Sequence, residues 1–506
     1  MSASSDSSRL ADAAVVDVGS NSVRLVMYRL DGRAIWTVFN EKTLAGLGRD
    51  ISLTGRLAPA GVEAAIVSLA RYSALIAAAR PKRLFAVGTA ALRIAADGAA
   101  FRDRVLAETG LNLRVLTGEQ EARYAALGVL AGAPSAAGLV GDLGGGSLEL
   151  IRLQNGAPGA GVTLRLGPFW FPQPFRPAIV EREVERTLER LDPAFACATF
   201  NAVGGAWRNL ALLHMRLADY PLGIIHQYEL TRADALAMAR FVAQQSRGSL
   251  ERIEGISRRR VEGLPHAAVV LAGLINQLGF KRIVLSAYGL REGLILGAMT
   301  RAARRRDPLI EGFAALAGRP ETAETFGAAL TAWLSGLFAR LKPVFGEREA
   351  TLIAAACRLA DFGAQLHPDH RADLVFEQVL RAPVAGMDHA ERAFLACAAF
   401  GRHTASPNMP SPELVTRLLS PERYQRARAL GGAVRLGCEL AGRSAALLTH
   451  ARLNLKGGAL VLQADSGWEA MLLGDQIAKR AATLASLLES ELKLKQPAST
   501  PARVSA

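Results

Sequence analysis

The chain has 506 residues, half of them hydrophobic, with 60 Lys and Arg against 46 Asp and Glu and a formal net charge of +14. That length exceeds one ordinary core and predicts two to four domains, and the composition excludes a disordered chain. The basic balance fits a polyanionic partner (nucleic acid, an anionic surface or polyphosphate) unless it only mirrors an Arg-rich composition.

The first residues, "MSASSDSSRLADAA", are polar and show no signal-peptide core. Next, "AAVVDVGS" (13–20) and "SVRLVMYRL" (22–30) are β-branched runs split by a turn, which predicts a hairpin. Helical periodicity follows over 61–80, then a buried strand at 83–89, a strand at 111–118 and a helix from Glu119 to Leu130. "AAGLVGDLGGGSLELIRL" (136–153) repeats the strand–turn–strand pattern. A strand and helix over 282–305 close this part, and "RAARRRDP" (301–308) reads as a linker. From Leu309 to Leu448 the text is helical, Ala- and Leu-rich. A strand pair at 451–465, a last helix and a disordered tail "QPASTPARVSA" complete the chain. The longest apolar run, Ala267–Ile275, is far short of the about 18 residues a membrane helix needs, so no membrane partner is expected. Cys197, Cys357, Cys397 and Cys438 are scattered, as expected of reduced thiols in a cytoplasmic protein.

One phrase occurs twice. "VDVGSNSVRL" (16–25) and "GDLGGGSLEL" (141–150) superpose at an offset of 125, aligning Asp17 with Asp142, Gly19 with Gly144 and Ser22 with Ser147. Strand–Gly-turn–strand segments expose backbone N–H groups that can cradle phosphate oxygens. A carboxylate beside a phosphate is repulsive unless a hard cation lies between them, so Asp17 and Asp142 read as Mg²⁺ holders, directly or through water. Two such loops on facing domains would form a two-jawed phosphate clamp. The bland alternative is two ordinary hairpins, which the matched positions disfavour.

These loops, with "GTAALRIAADG" (88–98), "LTGEQEARYAALGV" (116–129), "VGGAWRNLA" (203–211) and "SAYGLREGLI" (286–295), resemble those of the exopolyphosphatase / guanosine pentaphosphate phosphohydrolase (Ppx/GppA) family within the actin / heat-shock chaperone / sugar-kinase superfamily. The match is collinear over 13–300. The resemblance implies an α/β fold. Two tandem actin-like (ribonuclease-H-like) domains would form a cleft, over residues 1–133 and 134–305. An α-helical region resembling a degenerate HD-type domain, with a small β-hairpin near its end, would cover 306–495, and a disordered tail 496–506.

It also implies roles. Glu121 matches the catalytic glutamate, as general base or water-orienting group, with Glu119 the near alternative. Arg93 would grip phosphate oxygens or the leaving charge. Ser20, Asn21 and Ser22 on the first loop, and Gly144, Gly145, Gly146 and Ser147 on the second, would hold phosphate, with Arg24 and Thr89 as weaker candidates. Trp207 either fills the space where related kinases bind adenosine or packs in the core. Ala360 replaces the expected HD histidine, leaving Asp361, His367, His370 and His403 without a complete metal site. "SRRR" (257–260) and 301–306 would guide an anionic chain.

The resulting expectation is hydrolysis of the terminal phosphate of linear inorganic polyphosphate, processively and with Mg²⁺, other divalent cations and K⁺ being open. Hydrolysis of guanosine pentaphosphate (pppGpp) is the alternative, and an ATP-binding regulatory protein the rival from another class. The basic residues lack interleaved aromatics, which disfavours nucleic acid. A homodimer is expected from the resemblance alone.

Overall fold

The computed structural model describes residues 10–171, 175–253, 261, 263–318 and 321–495. The chain forms two compact units, Met1–Pro308 and Leu309–Ala506.

In the first unit, β1 (Ala13–Val18), β2 (Val23–Asp31), β3 (Ala34–Thr43), β4 (Arg83–Gly88) and β5 (Arg114–Val115) make one sheet in the order β3-β2-β1-β4-β5. The strand β1 is a continuous apolar run, buried except at Asp17, as a central strand covered on both faces requires. It pairs antiparallel with β2 and parallel with β4. A second sheet repeats the scheme with β6 (Gly138–Leu143), β7 (Leu148–Gln154), β8 (Ala157–Leu164), β9 (Thr199–Val203), β10 (Glu229–Thr231) and β11 (Arg282–Leu285), ordered β10-β11-β9-β6-β7-β8. Here β10 is an added edge strand.

Each sheet has its own core, one around Val16, Leu25, Leu69 and Tyr72, the other around Phe200, Trp207, Val270 and Phe280. A third apolar cluster joins the two sheets. It holds Val15 of β1, Val140 of β6 and Ile151 of β7, together with Ala126 and Leu294 from two helices, Gly118–Gly132 and Leu290–Ala298. Those helices touch through glycine. A Cβ on Gly293 would stand 1.8 Å from the Tyr124 carbonyl oxygen, and one on Gly128 1.9 Å from that of Gly289. Any side chain at either place would push the helices apart.

Several expectations change. The edge strands β3 and β8 are absent from the sequence reading, because half-exposed edges carry a mixed rather than an apolar pattern. The strand expected at 111–118 shrinks to two residues. The strand at 83–89 is buried only at its end. The linker at 301–308 is instead a short helix, Arg301–Arg305. Arg33 clamps it, donating to the carbonyls of Arg304 (2.7 Å) and Arg306 (2.9 Å) and also to that of Leu130. Arg304 turns its guanidinium onto the carbonyls of Met299 and Gly297, so the basic run there is partly structural. The helix Pro59–Ala79 is long and apolar enough to cross a membrane by length and composition. However, Ala65, Ile66, Leu69, Tyr72 and Ile76 on it belong to the core of the first sheet.

The second unit is helical, with long helices at Glu321–Phe338, Arg371–Arg381, His389–His403, Pro421–Ala441 and Asp475–Leu487. The hairpin β12 (Ala451–Lys456) and β13 (Ala459–Ala464) turns through Gly457 and Gly458 at φ 59° and 75°. A further strand, β14 (Glu491–Lys495), joins β13 in parallel. The HD remnants are tied up. Asp361 pairs with Arg443 at 3.1 Å, and His403 Nε2 lies 3.0 Å from the Phe362 carbonyl. Burial, then neighbouring arginines, pushes the His403 pKa down to about 4. His367 and His370 are exposed. No group of three metal-ligating side chains occurs among the described residues. The tail 496–506 and the run 257–260 lie outside them.

Candidate active site at the paired loops

The two loops have the same internal geometry. Gly19 N–H donates to Ser22 O and Gly144 N–H to Ser147 O, each at 2.9 Å. Both loops have their carbonyls pulled sideways. Those of Ser20 and Asn21 accept from the amides of Gly48 and Gly46. Those of Gly145 and Gly146 accept from the Phe169 amide and the Trp170 indole N–H, the latter at 2.6 Å. The amides of Ser20, Asn21, Gly145 and Gly146 donate to no acceptor among the described residues. This is the arrangement of an anion nest. The loops face each other closely, since a Cβ on Gly146 would stand 2.8 Å from Ser20 Oγ. Ser20 and Ser147 are buried, Ser22 is half-buried, and Asn21 and Gly144 are exposed. Thr89 is buried against the first loop, its amide donating to Val18 O.

Beside the second loop stands a wall of acids. A capping box between Thr117 and Gln120 starts the helix Gly118–Gly132. The next residue, Glu121, is 8% exposed, whereas Glu119 is on the surface, which separates the two candidates. Arg93 Nη1 donates to Glu121 Oε2 at 3.0 Å and to the Leu116 carbonyl at 2.8 Å. Burial raises the Glu121 pKa to about 7, with Asp142 and Asp17 adding to the rise and Arg93 opposing it. Asp142 is raised to about 6, by burial and then by Asp17 against the pull of Arg208. Its residue keeps some exposed surface, so the upward direction rests as much on the neighbouring carboxylate as on burial. Glu149, opposite Asp142 across β6 and β7, is 1% exposed. Burial and the Glu121 charge push it well up, and its Oε1 has no hydrogen-bond partner.

Beside the first loop stands a group of cations. Asp17, Arg24 and Lys42 are direct cross-strand neighbours on β1, β2 and β3. Arg291 Nη1 reaches Asp17 Oδ2 at 3.0 Å. Burial, then Arg291 and Arg208, lowers Arg24 to about 10. Arg208 is lowered by burial and then by Arg291. Lys42 is also lowered, by partial burial and then by Arg24, Arg208 and Arg291. Arg24, Lys42 and Arg208 are all depressed with Arg291 among the causes, whereas Glu292 and Asp17 hold Arg291 up against its burial. The three depressed cations mark a surplus of positive potential that a bound polyanion would relieve.

The structure therefore brings Asp17, Arg24, Arg93, Glu121, Asp142 and both loops into one cleft. The sequence reading missed Lys42, Glu149, Arg208 and Arg291. Three of these lie inside motifs it quoted, and the repeat offset pointed at Glu149 as the counterpart of Arg24. Trp207 is core, as one of the two alternatives held. It is 1% exposed, meets the Phe200 ring edge-on at 5.2 Å and donates its indole N–H to the Ala267 carbonyl.

Comparison with known proteins places the chain in a family. The Ppx/GppA phosphatase family profile matches residues 26–302, and the "Exopolyphosphatase, C-terminal" profile matches 314–494. Exopolyphosphatase 1 of Mycobacterium leprae is 27% identical over 304 residues, covering 56% of this chain and 88% of that protein. Exopolyphosphatase 2 of Mycobacterium tuberculosis is 25% identical over 318 residues, covering 57% and 98%. The crystal structure of an exopolyphosphatase from Cytophaga hutchinsonii shares the fold at a TM-score of 0.52 and 20% identity, over 56% of this chain and 96% of that one. The first profile spans more than half of the residues, so the chain is a hydrolase that belongs to the Ppx/GppA phosphatase family.

Proposed function

We propose that the chain is an exopolyphosphatase that removes the terminal phosphate of linear inorganic polyphosphate. The observation that carries this reading is the division of one cleft into a cation group beside the first loop and two buried acids, both with raised pKa, beside the second. A long anhydride chain needs many cations and no base-binding pocket. The four loop amides would hold the terminal phosphoryl, and Arg24, Lys42 and Arg208 the phosphates behind it. Arg93 occupies Glu121 Oε2, which leaves Oε1 to orient the water. Burial and the Glu121 charge push Glu149 up, which favours its protonated form. The water oxygen bonds to the terminal phosphorus, its proton passes to Glu121, and the bond to the bridging oxygen breaks, releasing orthophosphate.

The residues fit a divalent cation in one respect. Asp17 and Asp142 repel each other across the cleft, which a cation between them would relieve. As no group of three metal-ligating side chains occurs among the described residues, waters and phosphate oxygens would complete the shell, as Mg²⁺ tolerates. Such an ion, held by Asp142 and Asp17, would neutralise phosphoryl charge.

The test is phosphate release from long-chain polyphosphate with Mg²⁺, run beside pppGpp and ATP, for wild type and Glu121→Ala. Fast release from polyphosphate that collapses in the folded variant supports the reading. Release from pppGpp alone moves the substrate to the guanosine nucleotide, and tight ATP binding without any release overturns hydrolysis of both.

A further inference from the structure

We propose that the C-terminal unit carries a second phosphate-binding site, walled by Arg428, Arg435 and Arg480. A pocket with some 450 Å³ of empty space, part of it open to solvent, lies between the His389–His403, Pro421–Ala441 and Asp475–Leu487 helices. Its lining includes the apolar Phe400 and Leu487 and three arginines, Arg428, Arg435 and Arg480.

The charge balance of that wall is unequal. Arg435 and Arg480 share one carboxylate, Glu439, at 2.9 and 2.7 Å. Each reaches it through Nε, which leaves the two Nη groups of each fork available to a second anion. Arg428 is half-buried and makes no ion pair among the described residues; its guanidinium lies 6.0 Å from the Tyr424 ring centroid. Three cations against one anion is a surplus that half-buried surroundings screen poorly. Planar guanidinium forks, carried here by two helices, suit a tetrahedral oxyanion better than chloride.

Thr404 and Ser406 also line the pocket. Thr404 Oγ1 accepts the Ser406 amide and Ser406 Oγ accepts the Asn408 amide, each at 3.1 Å, and each hydroxyl keeps an O–H that can donate to an anion. The chemistry recognised is therefore a phosphoryl dianion, either free orthophosphate or the end of a phosphate chain. The site does not depend on which substrate the cleft takes.

The test is arginine modification by phenylglyoxal on the full-length protein, read residue by residue by mass spectrometry. Added orthophosphate at ten times its dissociation constant should slow modification of Arg428, Arg435 and Arg480 about tenfold relative to chloride at equal ionic strength. The exposed Arg452 should react unchanged, and the protection should persist in Arg208→Gln, which weakens the cleft. Arg428→Gln should abolish protection of Arg480 while circular dichroism stays native. Tripolyphosphate protecting at far lower concentration than orthophosphate would assign the chain end as the ligand; equal concentrations would assign the free ion. Equal rates in phosphate and chloride, protection by GTP alone, or protection that disappears with Arg208→Gln would overturn the site.

Discussion

Position 24 and position 149 occupy the same place in the two halves of the repeat, yet one is arginine and the other glutamate. Each sits opposite the aspartate of its own loop, Arg24 across from Asp17 and Glu149 across from Asp142. Around the first loop Arg291 and Lys42 extend the positive side, and Asp17 is held by an ion pair. Around the second, Glu121 and Glu149 extend the negative side, and Asp142 is raised. The backbone of a phosphate nest is thus shared, while the charge set around it is not. Under the proposed function, one jaw would hold an anionic chain and the other a water and a proton.

The largest effect should come from the acid jaw. Glu121→Gln should lower phosphate release by about 10² to 10⁴, the usual worth of a positioned base, with the Michaelis constant nearly unchanged in steady-state assays. A loss below tenfold would break the proposed division.

The same substitution should stabilise the fold as pH rises. The Glu121 pKa is raised from 4.5 to about 7, so the stability it lends is present below 4.5 and lost as pH climbs through 7. Denaturant melts of Glu121→Gln and wild type should diverge between pH 5 and pH 8 by up to about 3 kcal/mol in favour of the variant. Parallel curves would mean the carboxyl is ionised throughout.

The basic jaw should respond in binding. Arg24→Gln removes one charge-assisted contact and should raise the Michaelis constant for polyphosphate about tenfold or more, with kcat little changed. A fall in kcat instead would place Arg24 in the chemical step.

The smallest effect concerns the coupling between jaws and acids. Asp142→Asn removes a like charge beside Glu121, so the Glu121 carboxyl, followed by carbon NMR, should titrate lower by about one unit or less. An unchanged titration would leave burial as the whole cause.

Sequence alone determined the repeat, the two loops, the helical C-terminal unit and the loss of the HD histidine. Each of these is written locally, as a run of β-branched residues, a glycine turn or a missing side chain. The choice of Glu121 over Glu119 was legible by resemblance, but only the fold buries one and exposes the other. Lys42, Arg208 and Arg291 come from three distant segments; Arg208 and Arg291 lie in quoted motifs, but nothing around Lys42 distinguishes it from surface charge. Their proposed roles arise because β3 and the Gly205–Leu217 and Leu290–Ala298 helices meet at one cleft. Proximity across the chain, and the loss of solvent that accompanies it, is a property of the folded state, and that is what turned ordinary charges into a site.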